Sequence, residues 1–161
     1  MLWRRRNRTD DPRTTYRLAD LLPRGGQGVL IGDARGQDLE GLCAELAPER
    51  LLLCGDLEGQ APPELLVLPQ APIAALDGLA AGSLRWQVVR GSCPCEQLLL
   101  VLLHGLVCVE RAGSLLIEPV PQADEQRERD QLVTRFAERR ALHLTAFGQA
   151  LMIAVPARFT P

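Results

Sequence analysis

The sequence predicts one α/β domain in three layers: a mainly parallel sheet, helices on both of its faces, and an antiparallel hairpin at the end. Three observations support this. The 161 residues fit one domain, and 47% of them are hydrophobic and 24% charged, as in ordinary globular proteins. Short apolar runs alternate with amphipathic segments, which is typical of parallel strands joined by helices. The last two apolar runs flank a single glycine, Gly148, as in a hairpin.

The first predicted strand has the clearest sequence pattern. Residues 28–32 (GVLIG) form an apolar run bounded by glycines, which is typical of a buried strand. By similar reasoning we predict further strands at 50–56, 65–68, 84–89 and 114–120, helices at 14–22, 37–46, 73–79, 96–111 and 124–140, and a hairpin formed by 142–147 and 149–156.

One connection is too short for this pattern. Only eight residues separate Asp56 from Leu65, and they include Pro62 and Pro63. Adjacent parallel strands normally need a crossover of about a dozen residues, usually with a helix. We therefore expect that helix to be absent, or the third strand to run differently.

Charge excludes some function classes. All 18 basic residues are Arg, which indicates a GC-rich, bacterial genome, and the net charge of -2 argues against nucleic-acid binding. Arg4, Arg5, Arg6 and Arg8 belong to a basic arm, residues 1–13, that we expect to be flexible, with contact to an anionic partner as the alternative. The arm precedes the domain proper, residues 14–161. No apolar signal-peptide core follows it, so we expect a cytoplasmic protein.

The cysteines are expected to be reduced, buried thiols. There are five of them: Cys43, Cys54, Cys93, Cys95 and Cys108. Only Cys93 and Cys95 are closely spaced, and the two histidines, His104 and His143, lie far apart in sequence. Because a zinc site needs about four ligands at suitable spacing, we predict no metal site.

One predicted helix is unusually apolar. The stretch Leu98–Val109 (LLLVLLHGLVCV) has almost no polar residue on any face. It falls short of the roughly 20 apolar residues that a membrane span needs. We expect it to be covered by other elements or to dock on a partner, either a second copy of the chain or another protein. His104 would then be a surface or interface residue.

Six pieces of the sequence follow one another in a recognisable order. They are the leader helix at 14–22, the turn GDARG at 32–36, Asp56, GSLR at 82–85, AGSLLIE at 112–118 and the closing hairpin at 142–156. In this order and spacing the chain resembles the class I S-adenosylmethionine (SAM)-dependent methyltransferases over nearly its whole length. The resemblance implies a Rossmann-like fold and SAM as the cofactor.

The same resemblance implies which residues bind the cofactor: Gly32, Asp33, Ala34, Gly36, Asp56 and Leu57. A glycine-rich turn lets a ligand approach the backbone at the start of a helix. An acidic residue further along the chain can accept hydrogen bonds from the ribose hydroxyls, and Asp56 lies 20 positions after Gly36. The alternative is that Asp56 caps the following turn.

Departures from the family pattern leave two functions open. Leu30 stands where the family has an acidic residue, Ala34 replaces the central glycine of the turn, and Arg85 replaces a second acid. The missing helix would also leave a shallower cofactor cleft. The first function is a SAM-dependent methyltransferase acting on a small-molecule acceptor. The alternative is a catalytically inactive protein of this fold that binds a partner or regulates one. A different nucleotide is disfavoured because the turn lacks a phosphate-binding pattern.

No catalytic residue is assigned from the sequence. Methyl transfer is an in-line displacement that depends mainly on positioning, and only some acceptors need a general base. Ser92, Cys93, Glu118 and, more remotely, His143 are expected at the carboxyl ends of the strands. None of them lies in a recognisable acceptor motif. Glu118 could face the cofactor pocket or be a solvated carboxylate.

Overall fold

The computed structural model describes residues 16–157. The strands are β1 (Gln27–Ile31), β2 (Ala34–Arg35), β3 (Arg50–Cys54), β4 (Leu57–Glu58), β5 (Leu65–Val67), β6 (Leu84–Val89), β7 (Val109–Ile117), β8 (His143–Phe147) and β9 (Ala150–Ala154). The helices are α1 (Leu18–Leu21), α2 (Gly36–Leu46), α3 (Pro72–Asp77), α4 (Cys95–Cys108) and α5 (Ala123–Arg139). The basic arm of residues 1–13 lies outside the described residues, as do the first two residues of the predicted leader helix.

Within the described residues, seven strands form one sheet in the order β5-β3-β1-β6-β7-β9-β8. The five strands β1, β3, β5, β6 and β7 are parallel, whereas β9 runs antiparallel to both β7 and β8. Gly148 turns the closing hairpin with a φ of 61°, in the left-handed region that glycine adopts easily. The predicted fold class, a mainly parallel Rossmann-like sheet with an antiparallel hairpin, is therefore confirmed.

The core has two halves, one on each face of the sheet. Residues of α3, α4 and α5 pack with alternate residues of the strands on one face, and residues of α1 and α2 pack on the other. Leu30 belongs to the second half and is fully buried. The side chain at the position of the family's strand-one acid thus lies in the apolar core under α2.

The connection between β3 and β5 contains no helix, as the sequence indicated. Leu57 and Glu58 instead form β4, which pairs in parallel with Ala34 and Arg35 of β2. The chain then passes so close to the start of α2 that a Cβ atom added to Gly36 would lie 1.9 Å from the Gln60 carbonyl oxygen. We call residues 55–64 the connector. Its close docking allows β5 to pair with β3 without a crossover helix.

The structure differs from the predicted boundaries mainly around the apolar helix. Helix α4 ends at Cys108 rather than Arg111, and β7 begins at once at Val109, which pairs with Leu84. Residues 112 and 113, which precede the predicted strand at 114–120, lie inside β7 and distort it: Ala112 has a φ of 65°, and the β6–β7 register shifts between Leu84 and Trp86. No helix within residues 16–157 is long and apolar enough to cross a membrane.

The docking of the connector can be tested with two glycines of α2. Gly36→Ala should lower the free energy of unfolding by about 1–3 kcal/mol, because its methyl group meets a backbone oxygen that cannot rotate away. Gly41→Ala is the control. A Cβ atom there meets nothing within 4 Å, so the change should raise stability by about 0.5–1 kcal/mol through helix propensity. Urea unfolding followed by circular dichroism measures both, and equal effects would contradict this packing.

Candidate cofactor site

The predicted site residues come together where β1, β3 and β6 end. Gly32 follows β1 with a φ of 125°, a conformation that L side chains rarely adopt. A Cβ atom there would also lie 2.6 Å from Ser92 Oγ and 2.8 Å from Arg90 Cβ. Glycine is therefore required for its backbone angle and for the close approach of the loop after β6.

Hydrogen bonds join the loop after β1 to its neighbours. The Gly32 N–H donates to the Cys54 carbonyl at 2.9 Å, and the Ala34 N–H donates to the Asp56 carbonyl at 2.9 Å. The Asp33 N–H donates to Ser92 Oγ at 2.8 Å. The amides of Gly32, Asp33 and Ala34, three of the donors that this turn could offer to a ligand, are thus bonded inside the protein.

Two aspartates meet between the loops after β1 and β3. The Asp56 N–H donates to Asp33 Oδ1 at 2.9 Å, so the Asp33 carboxylate caps the turn after β3. Asp56 itself is exposed, and its carboxylate accepts no hydrogen bond from the part of the chain that the structure describes. Its two oxygens therefore remain available to donors other than residues 16–157.

Three adjoining cavities follow this edge of the sheet. The outer cavity, about 440 Å³, is lined by residues 31–33, 54–56, 67–72, 92–94 and 97. The middle cavity, about 340 Å³, is lined by 33–35, 38, 56–58 and 90. The inner cavity, about 520 Å³, is lined by 16–19, 37–39, 41–42, 45, 90 and 118. Asp33 and Asp56 line both the outer and the middle cavity, and Asp38 and Arg90 line both the middle and the inner one.

The sequence-predicted binding residues divide between these cavities. Gly32 lines the outer cavity, Asp33 and Asp56 line the outer and the middle, and Ala34 and Leu57 line the middle. Gly36 lines none of the three. Its missing side chain makes room for the connector, so the last glycine of the turn is explained by packing within the protein.

A partly buried ion pair lies at the ends of β6 and β7. Arg90 Nη2 is 3.7 Å from Glu118 Oε2, and their side chains are only 23% and 15% exposed. Burial raises the pKa of Glu118, and the positive charge of Arg90 opposes that rise. Glu118 Oε1 is buried and has no hydrogen-bond partner among the described residues. Of the two interpretations of this residue, the solvated carboxylate is wrong.

Tyr16 lines the same inner cavity as Arg90 and Glu118. Burial, together with the nearby negative charge of Glu118, raises the pKa of its phenol well above the ordinary value. The hydroxyl therefore stays protonated at neutral pH and can act as a hydrogen-bond donor.

The remaining candidate side chains are less suited to chemistry. Ser92 Oγ accepts the Asp33 N–H, and burial raises the pKa of the Cys93 thiol, so little reactive thiolate is present. Burial likewise raises the pKa of Cys43 and Cys54 to about 11. Among residues 16–157, no group of three His, Cys, Asp or Glu side chains could hold a metal ion.

The prediction that His143 lies with the other candidate catalytic residues, at the carboxyl ends of the strands, is wrong. His143 pairs with Ala154, which pairs with Ser114. These three residues lie toward the amino ends of the parallel strands, because β8 runs parallel to β7. Arg85 also lies near that end and pairs with Glu110 at 3.3 Å. The family's missing strand-four acid therefore does not affect the site.

A residue that sequence reasoning missed holds the loops in place. Arg129 of α5 is 1% exposed. Its Nη1 donates to the Cys93 carbonyl at 2.8 Å, and its Nη2 contacts the carbonyls of Arg90 at 3.3 Å and Glu118 at 3.5 Å. One guanidinium thus joins the loops that follow β6 and β7. A signal was available, since Arg129 precedes Val133 and Phe136 at helical spacing, on the buried face of α5.

Removing this guanidinium should loosen the loops. Arg129→Met removes the charged donor of three carbonyl groups, of which only that of Arg90 is shown with a second donor, the Cys93 N–H. We expect a loss of about 2–4 kcal/mol in the free energy of unfolding. Arg127→Met, at an exposed position of the same helix, should change it by no more than about 0.5 kcal/mol. Urea denaturation compares the two variants. An Arg129→Met protein as stable as the native one would show that the contacts carry little energy.

No protein-family model matches the sequence, and no curated protein matches it either. Solved structures do share the fold. Spermidine synthase from Thermotoga maritima superposes with a TM-score of 0.63 at 11% identity, over 89% of this chain and 57% of that one. A protein of Streptococcus mutans in complex with S-adenosylhomocysteine (SAH) superposes with a TM-score of 0.56 at 13% identity, over 85% of this chain and 92% of that one. The N-methyltransferase NodS from Bradyrhizobium japonicum WM9 superposes with a TM-score of 0.55 at 16% identity, over 81% of this chain and 86% of that one.

These identities are too low to transfer an activity, and one fold can host several reactions. The chain spans little more than half the length of the spermidine synthase that it matches. What the similarity shows is the fold: the described part of this chain has the Rossmann-like architecture of the class I SAM-dependent methyltransferases.

Proposed function

We propose that this protein binds SAM along the outer and middle cavities and transfers its methyl group to a small-molecule acceptor. The observation that carries the proposal is the position of Asp56. Its exposed carboxylate lies at the end of β3, on the shared wall of the outer and middle cavities. In open α/β sheets, ligands bind beyond the carboxyl ends of the strands, near the point where the strand order reverses. Here that point lies between the neighbouring strands β1 and β6.

Different parts of SAM would occupy the outer and the middle cavity. The outer cavity falls within the range of about 300–1,000 Å³ that is usual for ligand sites, and its wall after β5 would support the adenine ring. Asp56 would accept hydrogen bonds from the ribose hydroxyls. The methionyl part would extend into the middle cavity, where Arg90 supplies a positive charge for its carboxylate.

The internally bonded amides affect how the cofactor is held. Because the N–H groups of Gly32, Asp33 and Ala34 have protein partners, they contribute little to binding a carboxylate. Side chains then have to supply most of the polar contacts. We expect the affinity to depend strongly on Asp56 and Arg90.

This dependence gives a direct test with S-adenosylhomocysteine (SAH), the product that SAM leaves after methyl transfer. Asp56→Ala should weaken SAH binding about tenfold to a hundredfold, the loss expected for one or two hydrogen bonds to a charged group. Glu49→Gln changes an exposed carboxylate before the start of β3 and should leave the affinity unchanged.

Isothermal titration calorimetry measures both variants against the native protein. No heat from the native protein at millimolar SAH would count against SAM binding. Equal affinities for Asp56→Ala and the native protein would count against the assigned role of Asp56.

A second candidate function is partner binding without catalysis. Leu30 at the position of the family's acid and the internally bonded amides of the turn after β1 favour this candidate. Helix α4 favours it as well, because three apolar side chains on its outer side, Leu99, Leu100 and Val107, are 43–46% exposed. The protein would then associate with a second copy or with another protein. Gel filtration with light scattering, together with pull-downs, tests this candidate, and a strict monomer that captures nothing would remove its main support.

A further inference from the structure

The inner cavity has the position of an acceptor site relative to the proposed cofactor. It lies between α1, α2 and the ends of β6 and β7, and Asp38 and Arg90 connect it to the middle cavity. A sulfonium placed in the middle cavity would therefore present its methyl group toward the inner one. Leu18, Leu39 and Leu42 give the inner cavity an apolar wall.

The charges that line the inner cavity favour a cation. Three carboxylates line it (Asp38, Glu45 and Glu118) against two guanidinium groups (Arg17 and Arg90). Arg17 pairs with Glu45, and Arg90 pairs with Glu118. Asp38 forms no ion pair with any residue between 16 and 157. The charge that remains is negative, which disfavours an acidic acceptor and attracts a protonated amine.

Glu118 supplies a carboxylate oxygen that is shielded from water. Its Oε1 is buried without a hydrogen-bond partner in the described chain, and a buried acceptor without a partner costs free energy until a donor binds to it. Glu118 also lines the inner cavity, so an amine bound there would lie beside this carboxylate. The hydroxyl of Tyr16 on the same wall remains protonated and leaves the carboxylate as the base.

We propose that the inner cavity is an acceptor site for a small organic amine with an apolar substituent, and that Glu118 is its catalytic base. The inference rests on the SAM-binding function proposed above. The ammonium group gives one proton to Glu118, which frees a lone pair on nitrogen. The nitrogen attacks the methyl carbon, an N–C bond forms, and the C–S bond breaks with its electron pair going to sulfur. The products are SAH, an N-methylammonium ion and a protonated Glu118 that returns its proton to water.

Three probes of the same shape and different charge test the site. Benzylamine, benzyl alcohol and benzoate are titrated into the full chain in the presence of saturating SAH, with binding followed by ligand-observed NMR. We expect benzylamine to bind at least about tenfold more tightly than the other two, since a paired charge is worth about 1.4 kcal/mol or more in a partly buried site. Benzoate or benzyl alcohol binding as tightly as benzylamine would overturn the amine proposal.

Three variants test which residues of the inner cavity bind the amine. Glu118→Gln, measured at saturating SAH, should weaken benzylamine binding about tenfold. Asp38→Asn, at an exposed position that should not affect folding, should weaken benzylamine in the same direction. Glu110→Gln, an exposed carboxylate near the opposite end of the sheet, should leave benzylamine binding unchanged. Unchanged benzylamine binding in both Glu118→Gln and Asp38→Asn would overturn the assignment, whereas absence of SAH binding in the native protein would overturn the proposed function itself.

Discussion

The geometry of the candidate site depends on one buried guanidinium. Arg129 reaches from α5 beneath the carboxyl ends of the strands and bonds to the carbonyls of Cys93 and Arg90. These bonds fix the loop after β6. That loop places Ser92 where it accepts the Asp33 N–H and places Arg90 beside Glu118. Burying a cation with carbonyl partners is costly, so its presence at this position indicates that a fixed loop matters to the protein.

A second constraint is the short connector between β3 and β5. Because it has no helix, it packs directly against the start of α2, and β4 pairs with β2. The Ala34 N–H in the turn after β1 consequently bonds to the connector, at the Asp56 carbonyl. The carboxylate of Asp56 is left exposed at the same edge. The cofactor proposed to bind at this edge would therefore depend more on side chains than on these backbone groups.

The sequence was sufficient for the order of elements and for the parallel sheet, because apolar periodicity and glycine boundaries follow directly from burial and turn geometry. It could not indicate β2 and β4, since strands of two residues have no periodicity. The prediction placed His143 at the wrong end of the sheet, because the direction of the hairpin in the sheet is set by the antiparallel pairing of β9 with β7, which the sequence pattern does not indicate. Whether Glu118 is buried also depended on tertiary packing, since its ion-pair partner Arg90 belongs to the loop after a different strand, β6.

The central claim is that the outer and middle cavities hold SAM with the ribose on Asp56. A crystal structure grown with millimolar SAH tests it most directly. The account requires adenine density in the outer cavity, ribose hydroxyls within hydrogen-bond distance of the Asp56 carboxylate, and sulfur in the middle cavity. Cavities that stay empty at that concentration, or SAH bound elsewhere on the chain, would contradict it.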